Sequence, residues 1–269
     1  MLKIVKKITF KKNENRMSSF ASTEAAKDSF KENKSNNLKF LLHERFNWMN
    51  SFINETDTGL EVGSGAGFAK YFIKNKNFKL SDLSNDSHLD FKNVDAQNTK
   101  FESNTFDYVI ASNMVHHVPY PIKFLKEMHR ILKKEGKLII FEPYCSLICQ
   151  SVSIIMKHEG FDFTVNIWDE ANPKSDESDR WAGNIAVPNL LFDDKSEFKK
   201  KLGNLFDIKY EKFSECLIFL NSGGVTSKTF HIPLPIFLLK ILNYIDKILI
   251  KLFPSFFCMG RKLVLKKLN

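Results

Sequence analysis

Gly59-Leu60-Glu61-Val62-Gly63-Ser64-Gly65-Ala66-Gly67 decides the fold. Residues 58–62 read as a short strand that runs straight into three alternating glycines. Such glycines let the backbone turn tightly and approach a ligand closely. Phe68 to Lys74 reads as a helix, and its first N–H groups would face the loop, where they can hold a phosphate or a carboxylate. Spacing narrows the choice. A dinucleotide loop of the form G-x-G-x-x-G needs glycine where this chain has Phe68, and a P-loop needs a Gly-Lys-Ser/Thr run that is absent.

Working outward, Phe78 to Asp82 is a second strand with an acid at its end, and residues 83–92 leave room for about one helical turn. Asn93-Val94-Asp95 is a third, brief strand, and Phe106 to Ser112 a buried one by its continuous apolar run. Pro121 to Lys134 is an amphipathic helix, ended by lysines and Gly136, and Lys137 to Glu142 is the next strand. This alternation predicts an α/β fold with a parallel sheet. Beyond Pro143 the rhythm breaks. Residues 147–158 suit a helix, 160–194 are irregular, and Lys195 to Leu202 is a short helix. Phe206 to Leu220 and Met259 to Leu268 read as strands flanking an apolar helix over 235–253. The expectation is a Rossmann-like sheet of seven strands, mostly parallel, with helices on both faces, its last pair antiparallel, and an acceptor-side insertion over 146–204. The domain would run from 38 to 269, opening on a helical pattern over Leu38–Ile53, behind a basic, polar leader over 1–37.

In a parallel sheet the strand ends share one edge, where α/β folds bind ligands. Asp82 stands nineteen residues past Gly63, where a carboxylate can accept hydrogen bonds from two ribose hydroxyls. Asp95-Ala96 ends the third strand and Ser112-Asn113 follows the fourth. The glycine loop and these residues therefore converge on one cleft.

The ordered series resembles the class I S-adenosylmethionine-dependent methyltransferases. It runs through Gly59 to Gly67, Ser81-Asp82-Leu83-Ser84, Val94-Asp95-Ala96-Gln97, Phe106 to Asn113, His116-His117-Val118 and Arg130 to Leu138. The resemblance covers about residues 57–145. It implies that the loop of Gly63, Ser64, Gly65 and Gly67 holds the methionine end of S-adenosylmethionine, with Glu61 beneath it. It implies that Asp82 takes the ribose hydroxyls, Leu83 packs on the adenine, Asp95 and Ala96 meet the adenine edge, and Asn113 lies near the sulfonium. The chain departs from the family in its short stretch between Asp82 and Asp95, which stunts the second helix.

A methyl group on a sulfonium is already activated, so positioning supplies most of the catalysis. A base is needed only where the acceptor must lose a proton. His116 is the candidate base, whereas His117 is expected to cap its loop structurally. Glu142, Tyr144, His158 and Glu159 are candidates for the acceptor pocket, against the simpler reading of ordinary loop polarity. Trp168, Trp181 and Asn184 in the insertion are candidates for a lid or acceptor wall. Cys145 and Cys149 lack a second ligand pair at zinc spacing, so buried free thiols and no metal site are expected there. No G-x-S-x-G elbow occurs, which removes support for serine-hydrolase chemistry. Asn113 continues into Met114-Val115 rather than the Pro-Pro-aromatic motif of DNA amino-methyltransferases, so DNA is not the expected acceptor. The acceptor classes ranked first are a glycan, a lipid-linked intermediate or another small hydrophobic molecule. A non-catalytic binding or scaffold protein on the same fold is the alternative.

Of the 269 residues 43% are apolar and 26% charged, enough for a sizeable core and too apolar for wholesale disorder. The four cysteines fit a reducing compartment. The N-terminus lacks the apolar run of a secretory signal, and the expected setting is cytoplasmic. The net charge of +9 sits at the ends: residues 1–16 carry +5 and 233–269 carry +6, leaving the body near −2. On helix 235–253, Lys240, Asn243, Lys247 and Lys251 fall along one stripe of an otherwise apolar surface. The expectation is that this helix packs on the sheet with its lysines outward. Its apolar surplus leaves an anionic membrane at the inner face, a lipid acceptor or a homodimer partner as further occupants.

Overall fold

The computed structural model describes residues 9–10, 23–32, 36–157, 159–179, 181–226 and 229–268. Among them one sheet holds β1 (Gly59–Val62), β2 (Phe78–Ser81), β3 (Phe106–Ser112), β4 (Leu132–Pro143), β5 (Phe206–Ser214) and β6 (Gly260–Lys267), in the order β2-β1-β3-β4-β6-β5. The first four are parallel. β6 lies antiparallel between β4 and β5. Strand period 2 sends alternate side chains to opposite faces, and here both faces are buried. Leu60, Val62, Val109, Ala111, Leu138 and Ile140 face one core. Tyr108, Ile110, Ile139, Phe141 and Val264 face the other.

The helices are α1 (Thr23–Glu32), α2 (Asn37–Phe46), α3 (Pro121–Ile131), α4 (Leu147–Met156), α5 (Val187–Phe192), α6 (Lys195–Leu202), α7 (Leu217–Leu220), α8 (Ile236–Leu252) and α9 (Pro254–Phe257). α3 and α6 bury apolar faces in the first core, whereas α1 and α2 cover the second.

Several expectations are corrected. The sheet has six strands rather than seven, because Asn93–Asp95 is not a strand. Beside β2 the parallel pairing reaches no further than one isolated bridge, Phe91 to Ser81. Instead Asn93 turns with φ 54° and Val94 N–H donates to the Asp82 carbonyl at 2.9 Å. After the glycine loop there is only a 3₁₀ turn, Phe68–Tyr71, in place of a helix. The chain is drawn off by Asn75, whose Nδ2 donates to the carbonyls of Asn54, Glu55 and Asp57. α3 stops at Ile131, because Leu132 already pairs with Phe106 as strand. β5 ends at Ser214 rather than Leu220: Glu215 adopts φ 50° and α7 follows.

Two corrections bear on the site. Residues 23–32, assigned to the leader, form α1 packed on the domain, with Ala26 and Phe30 buried and the Phe30 ring 5.1 Å from that of Phe68. The amphipathic pattern over 1–8 and the loose stretch over 11–22 lie outside the described residues. Second, α8 keeps its lysines outward as expected, but the polar stripe is not outward as a whole. Its buried stripe is Leu239, Asn243, Asp246 and Ile250, so polar Asn243 faces inward while Ile236, Phe237, Ile241, Tyr244, Ile245, Ile248 and Leu252 are exposed beside Lys240, Lys247 and Lys251. The cause is specific pairing. Asp246 accepts the N–H groups of Cys216, Leu217 and Ile218 at 2.8–3.0 Å, which caps α7, and Asn243 donates to Glu44. No helix among the described residues is long and apolar enough to cross a membrane.

Candidate active site

The glycine loop is pinned from both sides. Ser64 N–H donates to the Ser81 carbonyl at 3.0 Å, and Ser64 Oγ accepts from Ser81 N–H at 3.2 Å. Gly63, Gly65 and Gly67 all have positive φ, which an L side chain rarely adopts. Their surroundings differ. A Cβ on Gly63 would press Met114 at 2.9 Å and one on Gly67 would press His88 at 2.8 Å. Beside Gly65 there is nothing within 4 Å, because it faces the cleft.

That cleft, about 1620 Å³, lies at the C-terminal edge of the parallel strands. Drug-sized pockets run to roughly 1,000 Å³, so this one has room for a nucleoside cofactor and an acceptor together. Of the residues expected to bind cofactor, Glu61, Gly63, Ser64, Gly65, Asp82, Leu83, Asp95, Ala96 and Asn113 line it. Gly67 instead packs beneath the loop against His88 and Leu80.

Asp82 holds the loop to the strand end: one carboxylate oxygen accepts Gly65 N–H and the other Ser84 N–H, both at 2.8 Å. Each oxygen keeps a further lone pair. Asp95 accepts the N–H of Gln97 at 2.8 Å. Leu83 is 53% exposed on the cleft wall, an apolar surface ready to be covered by a flat ring. Asn113 turns with φ 53°, its N–H donating to the Phe141 carbonyl. Glu61 is buried with Oε2 lacking a hydrogen-bond partner, and burial, with Asp82 adding, raises its pKa to about 8. A buried acid without a counter-charge beside an open glycine cradle suits a ligand with a cationic group.

At the acceptor end Glu142 is wholly buried. It accepts the N–H groups of Met114 and Val115 at 2.7 and 2.8 Å and faces His116 Nδ1 at 2.5 Å. On the other side His116 Nε2 meets Glu159 at 3.0 Å, and His117 Nε2 meets it at 3.4 Å. Burial alone would push His116 down, but the two carboxylates overcome it and hold the ring up at about 10. A ring held as imidazolium is a poor base.

The other acceptor-side candidates scatter. Trp181 lines the cleft. Trp168 packs on the core, and Tyr144 is buried against Phe213 with the Arg261 guanidinium over its ring. Asn184 is used up in structure, accepting Asp162 N–H at 2.9 Å. His158 lies outside the described residues. All four cysteines are free and buried, and burial raises their thiols.

Three contributions were missed from sequence. Thr23 and Ala26 of α1 line the cleft beside the loop, tied down by Lys27 to His88 at 2.5 Å and Thr23 to Asp86 at 3.0 Å. Arg45 and Glu215 form a buried two-point ion pair on the cleft wall, with contacts of 2.9 and 2.5 Å. Ile155, Met156, Leu220 and Phe230 form an exposed apolar rim. No local pattern could have joined these, since each pairing is remote in sequence.

The family described as methyltransferase domain matches residues 60–140. A demethylmenaquinone methyltransferase from Staphylococcus epidermidis is 28% identical over 167 residues, 61% of this chain and 62% of that one. A ubiquinone/menaquinone biosynthesis C-methyltransferase from Rickettsia felis is 37% identical over 70 residues, 26% of this chain and 28% of the relative. Among solved structures, an S-adenosylmethionine-dependent methyltransferase from Archaeoglobus fulgidus shares the fold, with TM-score 0.52 and 15% identity over 84% of this chain and 93% of that one. Over residues 60–140 the chain carries a methyltransferase domain of the S-adenosylmethionine-dependent kind. It matches less than two thirds of the length of the staphylococcal relative.

Proposed function

We propose that the protein transfers a methyl group from S-adenosylmethionine to a small acceptor with an apolar tail, reached from an anionic membrane surface. The cofactor supplies a methyl group already activated on sulfur. The chain's part is to bind, orient and exclude water. Glu61 and the open cradle at Gly65 suit the cationic methionine end, Gly63 and Ser64 shaping the turn. Asp82 has lone pairs left for ribose hydroxyls. Leu83, Asp95 and Ala96 would flank the adenine, and Asn113 the reacting end.

One observation carries the acceptor class: the cleft opens among Ile155, Met156, Leu220 and Phe230, on elements continuous with a larger exposed apolar surface. α9 packs against both α4 and α8, and α8 packs against α7. α4 and α7 are thus neighbours, directly or through α9, of α8, whose outward side carries exposed apolar residues and three lysines. Exposed apolar area of this kind with basic residues among it favours adsorption to anionic lipid. The relatives' names, which mention demethylmenaquinone and ubiquinone/menaquinone biosynthesis, agree with that class.

Labelled S-adenosylmethionine, the protein and a membrane extract should place label in the solvent-extractable lipid fraction. A demethylated prenyl naphthoquinol serves as the defined probe. Label confined to the aqueous or protein fraction would overturn the acceptor class. Label in none would return the protein to a binding role.

A further inference from the structure

We infer that His116, His117 and Glu159 form a binding site for a divalent transition-metal ion, open on the cleft and oriented by Glu142. One ligand atom from each of the three lies within 4.8 Å of the others. The His116–Glu159 and His117–Glu159 contacts are 3.0 and 3.4 Å. Bonds of about 2.0–2.1 Å around a tetrahedral ion set its ligand atoms about 3.3 Å apart; the two contacts are close to that spacing but reach different oxygens of Glu159, so an ion would take the carboxylate through one of them and displace the proton from His116 Nε2. The rings stand together, their centroids 4.2 Å apart.

What lies behind the trio matches a metal site rather than a chance cluster. A ligating histidine usually has its other ring nitrogen fixed by a carboxylate, which sets the tautomer and aims the free nitrogen. Glu142 stands in that place at His116 Nδ1, and is itself held by two backbone N–H groups. A second observation is independent of the first. Gly183 presses its backbone over the trio so closely that a Cβ there would come 2.9 Å from His116 and 3.2 Å from both Glu159 and His117. Asn184 N–H then donates to the His116 carbonyl at 2.8 Å, and Ile185 N–H to that of Gly160 at 3.0 Å, fastening the insertion across the site.

Two imidazoles and one carboxylate suit Zn²⁺, Fe²⁺ or Co²⁺ over Mg²⁺ or Ca²⁺, which prefer oxygen. All three ligand residues line the cleft expected to hold the acceptor. The role that follows rests on the methyl-transfer reading: the ion takes an oxygen of the acceptor as a Lewis acid and fixes it relative to the cofactor. Metal binding itself does not rest on that reading.

Chelator-stripped protein titrated with Co²⁺ tests the site, its visible absorption reporting nitrogen and oxygen ligation. One equivalent is expected to bind and to be displaced by Zn²⁺. Glu159→Gln and His117→Ala should each weaken binding about tenfold or more, since even residues behind the ligands cost that much. Cys149→Ser should leave the spectrum unchanged, which excludes a thiol site. If an alanine variant loses its melting transition, His117→Gln keeps the volume and answers instead. No Co²⁺ spectrum in the wild type, or one that persists in folded Glu159→Gln, overturns the proposal. S-adenosylmethionine titrated into the same stripped protein is read separately, so failure of the metal site leaves the methyl-transfer account standing.

Discussion

Glu61 links the loop's chemistry to pH. Its carboxyl has a folded pKa of about 8 against an ordinary 4.5, because it is buried. Between those values the folded chain holds a proton that the unfolded chain has lost. Stability should therefore fall as pH rises from 4.5 to 8, and level off above. Glu61→Gln removes this dependence and should raise stability near pH 7.5 by on the order of 2 kcal/mol, checked by urea melts at pH 5 and 7.5. Equal slopes in both proteins would show that Glu61 is ionised in the fold. A cationic ligand beside Glu61 favours its ionised form, so affinity for S-adenosylmethionine should rise through the same window and Glu61→Gln should flatten it. Asp82 carries a different cost. Asp82→Ala removes the acceptor of Gly65 N–H as well as the expected ribose partner. Charge-assisted hydrogen bonds are worth about 1.5–3 kcal/mol each, so affinity should drop at least tenfold. Unchanged affinity in a folded variant would place the ribose elsewhere.

At the scale of elements, α8 joins stability to surface. Its inward Asp246 accepts three backbone N–H groups at the start of α7, the arrangement of a helix cap with a charged acceptor. Asp246→Ala should cost about 2–4 kcal/mol, visible as a lower midpoint in urea, and should loosen the rim at Leu220. Asp246→Asn should recover part of it. The outward side makes the second prediction. Wild-type protein should co-sediment with anionic vesicles at low salt and release as salt rises, since each well-placed lysine contributes roughly 1 kcal/mol before screening. Lys247→Glu with Lys251→Glu should abolish that binding without altering the melt. A protein that ignores vesicles but elutes as a dimer would make this face a subunit interface.

Across the whole molecule, what could be read in advance was what is encoded locally. The loop from Glu61 to Gly67, the acid after β2 and Asn113 after β3 each sit at a turn that their own neighbours dictate, and the cleft gathers them because parallel strands end together. The α/β class followed from the same alternation. Contacts between remote segments were not legible. Asn243 and Lys247 share a stripe by period, yet Asn243 turns inward because Glu44 awaits it. Glu159 reaches His116 across a whole helix and strand end, and Thr23 reaches Asp86 from a segment read as leader. The missing third strand turns on how residues 91–94 bond to the end of β2, which local strand propensity does not weigh.

The central claim is that the cleft over the glycine loop is the S-adenosylmethionine site, and calorimetric titration of wild type and Gly65→Val tests it most directly. Gly65 faces open cleft at φ 49°, so a valine there would strain the turn and fill the cradle while leaving both cores untouched. The account predicts one-to-one binding of S-adenosylmethionine to the wild type and none to a Gly65→Val protein that keeps its cooperative melt. A wild type that does not bind, or a valine variant that binds as well as the wild type, would contradict it.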